Sequence, residues 1–197
     1  MTLEVGAFSV ATAFAARLDA ASSAAHQLAL NIASLTYMVP LGLCSAAAVR
    51  VGHAFGARDA RRTTTAGWAA LAVGAVLMLT LGLTMALVPR LLLSPFSRDP
   101  RVLELGAVLL GFAAAFQLFD GMQTIATGVL RGVGDTVRPM AVHFVAYWVL
   151  GLPIGYLLCF DAAWGVPGLW TGFTVGLIVA GSVLLGIWAR RSRRLAW

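Results

Sequence analysis

Residues 108–129 read VLLGFAAAFQLFDGMQTIATGV, a run in which nearly every side chain is apolar or small and one, Asp120, carries a charge. A helix of that length rises about 33 Å and crosses about 30 Å of hydrocarbon, so the run reads as a membrane span. A carboxylate at that depth is expensive, and membranes keep one mainly where it faces a cavity, a partner or an ion path. Asp120 is therefore the first candidate functional residue. Arg131, eleven residues on, marks the interface, which puts Asp120 about 16 Å inward, near the bilayer midplane. Gln117, Asp120, Thr124 and Thr127 recur every three or four residues, so they form one polar stripe on an otherwise apolar helix.

The rest of the chain agrees. Hydrophobic residues are 60% of the sequence, charged residues 11%, and the mean hydropathy is +0.87, outside the range of ordinary soluble domains. All 14 basic residues are Arg, giving a formal net charge of +6. They fall between apolar runs rather than on an aromatic-rich basic face, which speaks against nucleic acid. Cys44 and Cys159 lie in separate apolar stretches without ligand spacing, and His26, His53 and His143 show no paired spacing, so neither a disulfide nor a metal site is expected. The N-terminus carries Glu4 and no early Arg, unlike a signal peptide.

Six apolar runs of spanning character follow one another: 1–16, 23–51 with Pro40 as a kink, 65–88 stopped by Pro89, 102–130, 140–160 with Pro153, and 166–188. The fold class is all-α, a polytopic membrane protein. Arg58, Arg61 and Arg62, then Arg131 and Arg138, then Arg190, Arg191, Arg193 and Arg194 all fall on one side of this arrangement. By the positive-inside rule that side is cytoplasmic, and both termini face it. If Arg17 marks the outer interface, Glu4 lies about 20 Å inward and is a second intramembrane carboxylate. The first run is short, about 24 Å, as though cut at its cytoplasmic end.

On the second helix Gln27, Asn31 and Ser34 form another polar stripe, with His26 one position aside. The two stripes either line one cavity or bond helices to one another. Gly168, Gly172 and Gly176, and likewise Gly52 and Gly56, read as ridges for close helix packing. Trp148, Trp164, Trp188 and Trp197 read as interfacial anchors or packing, and Tyr37 and Tyr147 as core rather than ligand contacts. The string Gly132-Val133-Gly134-Asp135 has the GxGD pattern of intramembrane aspartyl proteases. Asp135 is expected about 20 Å from Asp120, too far for a shared-proton dyad, so no enzyme is expected and Asp135 is assigned to a turn.

Several strings together resemble one family: AAHQLALN (24–31), MVPL (38–41), VRVG (49–52), FQLFDGMQ (116–123), LRGVGDT (130–136) and YWVLGLP (147–153). In this order and spacing they are similar to the C-terminal half of multidrug and toxic compound extrusion (MATE) transporters. The resemblance covers essentially the whole chain. It implies one six-helix lobe, residues 1–197, equivalent to helices seven to twelve of a two-lobe transporter, with the N-terminal lobe absent. Glu4 matches the family's acidic residue in helix seven and Asp120 that in helix ten, both implicated in binding the coupling cation or a cationic substrate. The candidate cation- or substrate-binding set is Glu4, Asp120, Gln27, Asn31, Gln117 and Thr124.

The implied function is cation-coupled antiport, driven by H⁺ or Na⁺, that exports organic cationic or drug-like compounds across the plasma membrane. No cofactor beyond the coupling ion is expected. The expected partners are these small molecules, membrane lipid, and a second six-helix lobe or a second copy. The alternative is a non-transporting helical bundle, either a gene fragment or the assembly partner of a separately encoded N-lobe.

Overall fold

A computed structural model of the chain describes residues 2–195, so Met1 and the predicted anchor Trp197 lie outside the described residues. Its elements are α1 (Thr2–Ala15), α2 (Ala20–Gly56), α3 (Ala60–Leu87), α4 (Pro89–Leu93), α5 (Pro100–Gly132), α6 (Val137–Phe144), α7 (Leu152–Tyr156) and α8 (Val166–Arg193). Two π-helical stretches, Val145–Gly151 and Leu157–Asp161, bracket α7, and together with α6 they make the fifth span, Val137–Asp161. Among the described residues five helices are long and apolar enough to cross a membrane, and α1 is a shorter apolar helix.

Each run ends where its capping chemistry dictates. Asp19, Asp59 and Asp99 precede α2, α3 and α5, and each carboxylate accepts a backbone N–H at 2.9 Å, from Ser22, Arg62 and Arg101. The Ser22 N–H and hydroxyl hold the Asp19 carboxyl below its ordinary pKa range. Pro89, Pro100 and Pro167 sit in first turns, where a missing N–H leaves no bond unmade. Asp135 lies in the turn between α5 and α6, where it accepts from the Arg138 N–H at 3.4 Å and pairs with its guanidinium at 3.3 Å.

Two helix ends among the described residues hold a non-glycine residue in the left-handed region, Arg58 after α2 and Ala163 after the fifth span. Asp59 N–H returns to Ala54 O at 3.0 Å across Arg58, whose φ of 54° is left-handed, a position that glycine normally fills. Arg58→Gly is expected to stabilise the protein by roughly 0.5–1 kcal/mol, read as a higher midpoint in a detergent thermal melt. A lower midpoint would contradict this account of the turn.

Helix α5 is the centre of the bundle and packs against α2, α3 and α8. Two apolar clusters divide the lobe by height. Val51, Leu71, Val129, Val133 and Trp188 pack at the end that carries the Arg-rich turns, while Ala15, Leu93, Val102 and Val166 belong to the cluster at the other end. The Arg58, Arg131 and Arg190 regions are thereby gathered on one face of the lobe. Outward faces carry exposed Leu35, Val76, Leu83 and Leu91, the surface of a protein solvated by lipid.

Glycine sets the closest approaches. A Cβ on Gly168 would meet Cys159 N at 2.6 Å, one on Gly176 would meet Ala146 O at 2.6 Å, and one on Gly172 would run into Gly151 O and Gly155 N. That ridge is therefore the contact between α8 and the fifth span, as expected. The second ridge needs correction: Gly52 faces the Gly132 backbone, but Gly56 has open space around it, because α2 there runs past the end of its neighbour. Close packing on α2 is instead supplied from α5, where Gly128 meets the Cys44 carbonyl and Gly132 meets Ala48 O.

The remaining sequence readings divide. Trp188 is fully buried, Trp164 is exposed, and Trp148 donates from Nε1 to Leu3 O at 3.0 Å, tying α1 to the fifth span. Cys44 and Cys159 are both buried free thiols. Pro153 has no N–H to give to Val149, and the Leu152 N–H reaches back five residues to Tyr147 O, so the backbone widens into π turns rather than breaking.

Candidate functional site

Glu4 enters the bundle because α1 can lie flat against it: Ala7, Ala11 and Ala15, spaced by four, are completely buried. Phe8 stacks on Phe173 of α8 with ring centroids 4.5 Å apart. The Trp148 indole covers Gly6, where a Cβ would stand 3.2 Å from its ring. These contacts fix the first turns of α1 and leave Glu4 buried among polar groups from three other helical segments.

Two phenols hold its carboxylate. Tyr37 of α2 donates to Oε2 at 3.1 Å, and Tyr147, in the first π stretch, donates to Oε1 at 3.3 Å. Thr124 of α5 donates to the Tyr37 oxygen at 3.4 Å. Gln123, fully buried, joins the two acids: its Nε2 lies 2.8 Å from the Tyr147 oxygen, 3.2 Å from Asp120 Oδ1 and 3.4 Å from Glu4 Oε1. One amide nitrogen has two hydrogens and cannot serve all these acceptors at full strength. Gln123 Oε1 is buried without a partner among the described residues.

The acids are thus unequal. Glu4 receives two hydroxyl bonds and a long amide bond, whereas Asp120 receives one amide bond; both stand at the wall of a cavity of about 410 Å³. Phe8, Tyr37, Phe116 and Trp170 supply aromatic surface to that cavity. Val5 and Met38 at its rim are exposed, so it opens on the surface of the lobe. The volume lies within the range of small-molecule sites, and aromatic faces beside a carboxylate suit an organic cation. Behind Trp170 is His26, which accepts from the indole N–H at Nδ1 (3.1 Å) and bonds Thr12 Oγ1 through Nε2 (3.1 Å). Thr12 spends its own hydroxyl hydrogen on Phe8 O at 2.9 Å, so the imidazole donates from Nε2 and its tautomer is fixed.

The structure brings Glu4, Asp120 and Thr124 together and places the other candidates elsewhere. Gln117 lies about 60° round α5 from Asp120, and there it packs against Gly82 of α3, with its Nε2 buried and without a partner among the described residues. Gln27 and Asn31 are exposed and bond each other at 3.3 Å. Asn31 is about a quarter turn from the face of α2 that carries Leu30, Ser34 and Tyr37 into the cavity. Of that second stripe only Ser34 lines the cavity. Thr127 donates to Gln123 O at 2.8 Å and touches His143 Nε2 at 3.4 Å, behind the acids.

Gln123 was not singled out from the sequence, and Tyr37 and Tyr147, read there as core, also hold the Glu4 carboxylate. Gln123 offered a signal, an amide inside a span three residues from Asp120. The tyrosines offered less, since a neutral aromatic residue in a span ordinarily packs.

The fold is that of one lobe of a two-lobe membrane transporter. The chain superposes on the crystal structure of the eukaryotic MATE transporter AtDTX14 with a TM-score of 0.86 at 25% identity, over 96% of this chain and 44% of that one. An outward-facing MATE family transporter of the MOP superfamily matches with a TM-score of 0.84 at 19% identity, over 96% of this chain and 44% of that one. Among curated proteins, the "Multidrug resistance protein NorM" of Burkholderia vietnamiensis is 45% identical over 165 residues, 81% of this chain and 36% of that protein. The "Probable multidrug resistance protein NorM" of Mesorhizobium japonicum is 43% identical over 198 residues, 98% of this chain and 42% of that protein. The MatE family model matches residues 1–157. The chain belongs to the MATE family, and it spans about two fifths of the length of the curated relatives it matches.

Proposed function

We propose that the chain is the C-terminal lobe of an antiporter that exports organic cationic or drug-like compounds across the plasma membrane in exchange for H⁺ or Na⁺. The observation that carries this reading is the Glu4–Gln123–Asp120 network at the wall of the aromatic cavity. Two carboxylates meeting one amide, far from bulk water, cannot both keep an uncompensated charge. They call for a proton, a metal cation or an organic cation, and occupancy by one disfavours the others. Exchange follows if the preferred occupant differs between two orientations of the lobes. In this scheme Asp120 binds the travelling charge, Glu4 and Thr124 complete its surroundings, and Gln117 stands by at the α3 side.

The exposed Gln27–Asn31 pair on a spanning helix, and the open rim at Val5 and Met38, favour a second six-helix lobe or a second copy over that face. Polar side chains in contact with lipid tails are costly, and a facing lobe would close the cavity. The Arg-rich end of the lobe is assigned to the cytoplasm together with both termini.

Proteoliposomes test the reading. With its partner lobe present, an imposed H⁺ or Na⁺ gradient is expected to accelerate ethidium movement at least about tenfold, whereas the chain reconstituted alone gives no coupled movement. Gradient-independent ethidium flux with the partner present, or coupled transport by a demonstrated monomer of this chain, would refute it.

A further inference from the structure

On the opposite flank of α2 from the acids, a groove of about 720 Å³ runs between α2 and α3. Its floor is made of alanines, Ala46 and Ala47 from α2 and Ala66, Ala69 and Ala70 from α3, with Leu43 and Val73 at the far end. At the near end stand Arg50, His53, Asp59 and Arg62. We propose that this groove binds one anionic phospholipid, with an acyl chain along the alanine floor and the phosphate at the arginines.

Length is the first argument. Val73 and Arg62 are eleven residues apart on one helix, about 16 Å, which is half the thickness of a bilayer's hydrocarbon and so the depth of a single leaflet. The groove therefore has its cationic end at the interface and its apolar end near the midplane, matching the polarity of one lipid molecule. Charge is the second. Arg50 has no ion pair among the described residues, and Arg62 has only an exposed pair with Asp59 at 3.3 Å. A phosphate would offer both guanidiniums a bidentate acceptor. The third is the setting: Val49, Trp68, Val76 and Leu77, on the same two helices, are exposed apolar side chains, so the groove opens on a lipid-facing surface. Alanine keeps the floor low, because any larger side chain at these positions would fill the space.

The test uses the protein extracted, as assembled, into nanodiscs of equal phosphatidylglycerol and phosphatidylcholine. Phosphatidylglycerol carrying a mid-chain diazirine is expected to label wild-type peptides containing residues 43–47 and 66–73. In native mass spectrometry the protein should retain phosphatidylglycerol over phosphatidylcholine. Arg50→Gln with Arg62→Gln should weaken that retention by about fivefold for each arginine, while the equally charged Arg193→Gln with Arg194→Gln leaves it unchanged. Labelling away from the groove, equal retention of the two lipids, or an equal loss in the tail variant would overturn the proposal. So would a photo-reactive side chain at position 69 that joins to polypeptide, because the occupant would then be a protein surface.

Discussion

Asp120→Asn, in the assembled transporter, is expected to lower cation-coupled export about 100-fold while membrane abundance stays close to wild type. The substitution keeps the shape and the hydrogen bond from Gln123 Nε2 but removes the charge that answers a cation in the cavity. Folding should survive, because a buried carboxylate with one amide bond contributes little to holding helices together, and the amide that replaces it is easier to bury. Glu4→Gln is expected to reduce export less, by about tenfold. Glu4 is fastened by Tyr37 and Tyr147 at its two oxygens, and a glutamine there still accepts one phenol hydrogen at Oε1 while its Nε2 donates to the other phenol oxygen once that hydroxyl turns away. Ethidium efflux from everted vesicles, normalised to immunoblotted protein, measures both variants. Normal export by Asp120→Asn, or its failure to accumulate, would remove Asp120 from the ion path.

The largest structural effect is expected at Gly172. Any side chain there projects onto Gly151 O and the Gly155 backbone, which cannot move aside as a flexible side chain can. Gly172→Leu should force α8 away from the fifth span at a cost on the order of 3 kcal/mol or more, enough to remove most folded protein. Gly56→Ala, at a position with open space, should be neutral or slightly stabilising as a helical alanine. Fluorescence-detected size exclusion of detergent extracts separates these outcomes. A monodisperse Gly172→Leu peak at wild-type height would show that the ridge does not set the helix spacing.

The spans were legible because a lipid solvent leaves an unbroken apolar record. The run read as 65–88 is observed at Ala60–Leu87, and the difference lies at the start, where Asp59 caps a turn of Arg and Thr that a hydropathy reading stops short of. The two acids were legible for the same reason, as charges against an apolar background. Direction was not. Steps of three and four identify a stripe on a helix but not what it faces, so nothing in the sequence said that Asn31 sits a quarter turn from the cavity or that Gln117 looks toward α3. Gln123 was lost to the same limit: it belongs to α5 as the stripe does, yet its importance depends on Glu4, 119 residues away, and on Tyr147, 24 residues away.

The π stretches of the fifth span behave like a change of thread on a screw. Pro139, His143, Tyr147, Gly151, Gly155 and Cys159 are all buried, each four residues after the last. In an unbroken α-helix each step of four overshoots a full turn by about 40°, so this row would wander about 200° between its ends and finish on the far side of the helix. Inserting wider turns brings the mean winding close to four residues and straightens the row. It then meshes with the four-residue pitch of Gly168, Gly172 and Gly176 on α8, while Tyr147, in the same row, still reaches Glu4. A fifth span wound at standard pitch could hold the glycine contact or the phenol at the acid, but not both at once.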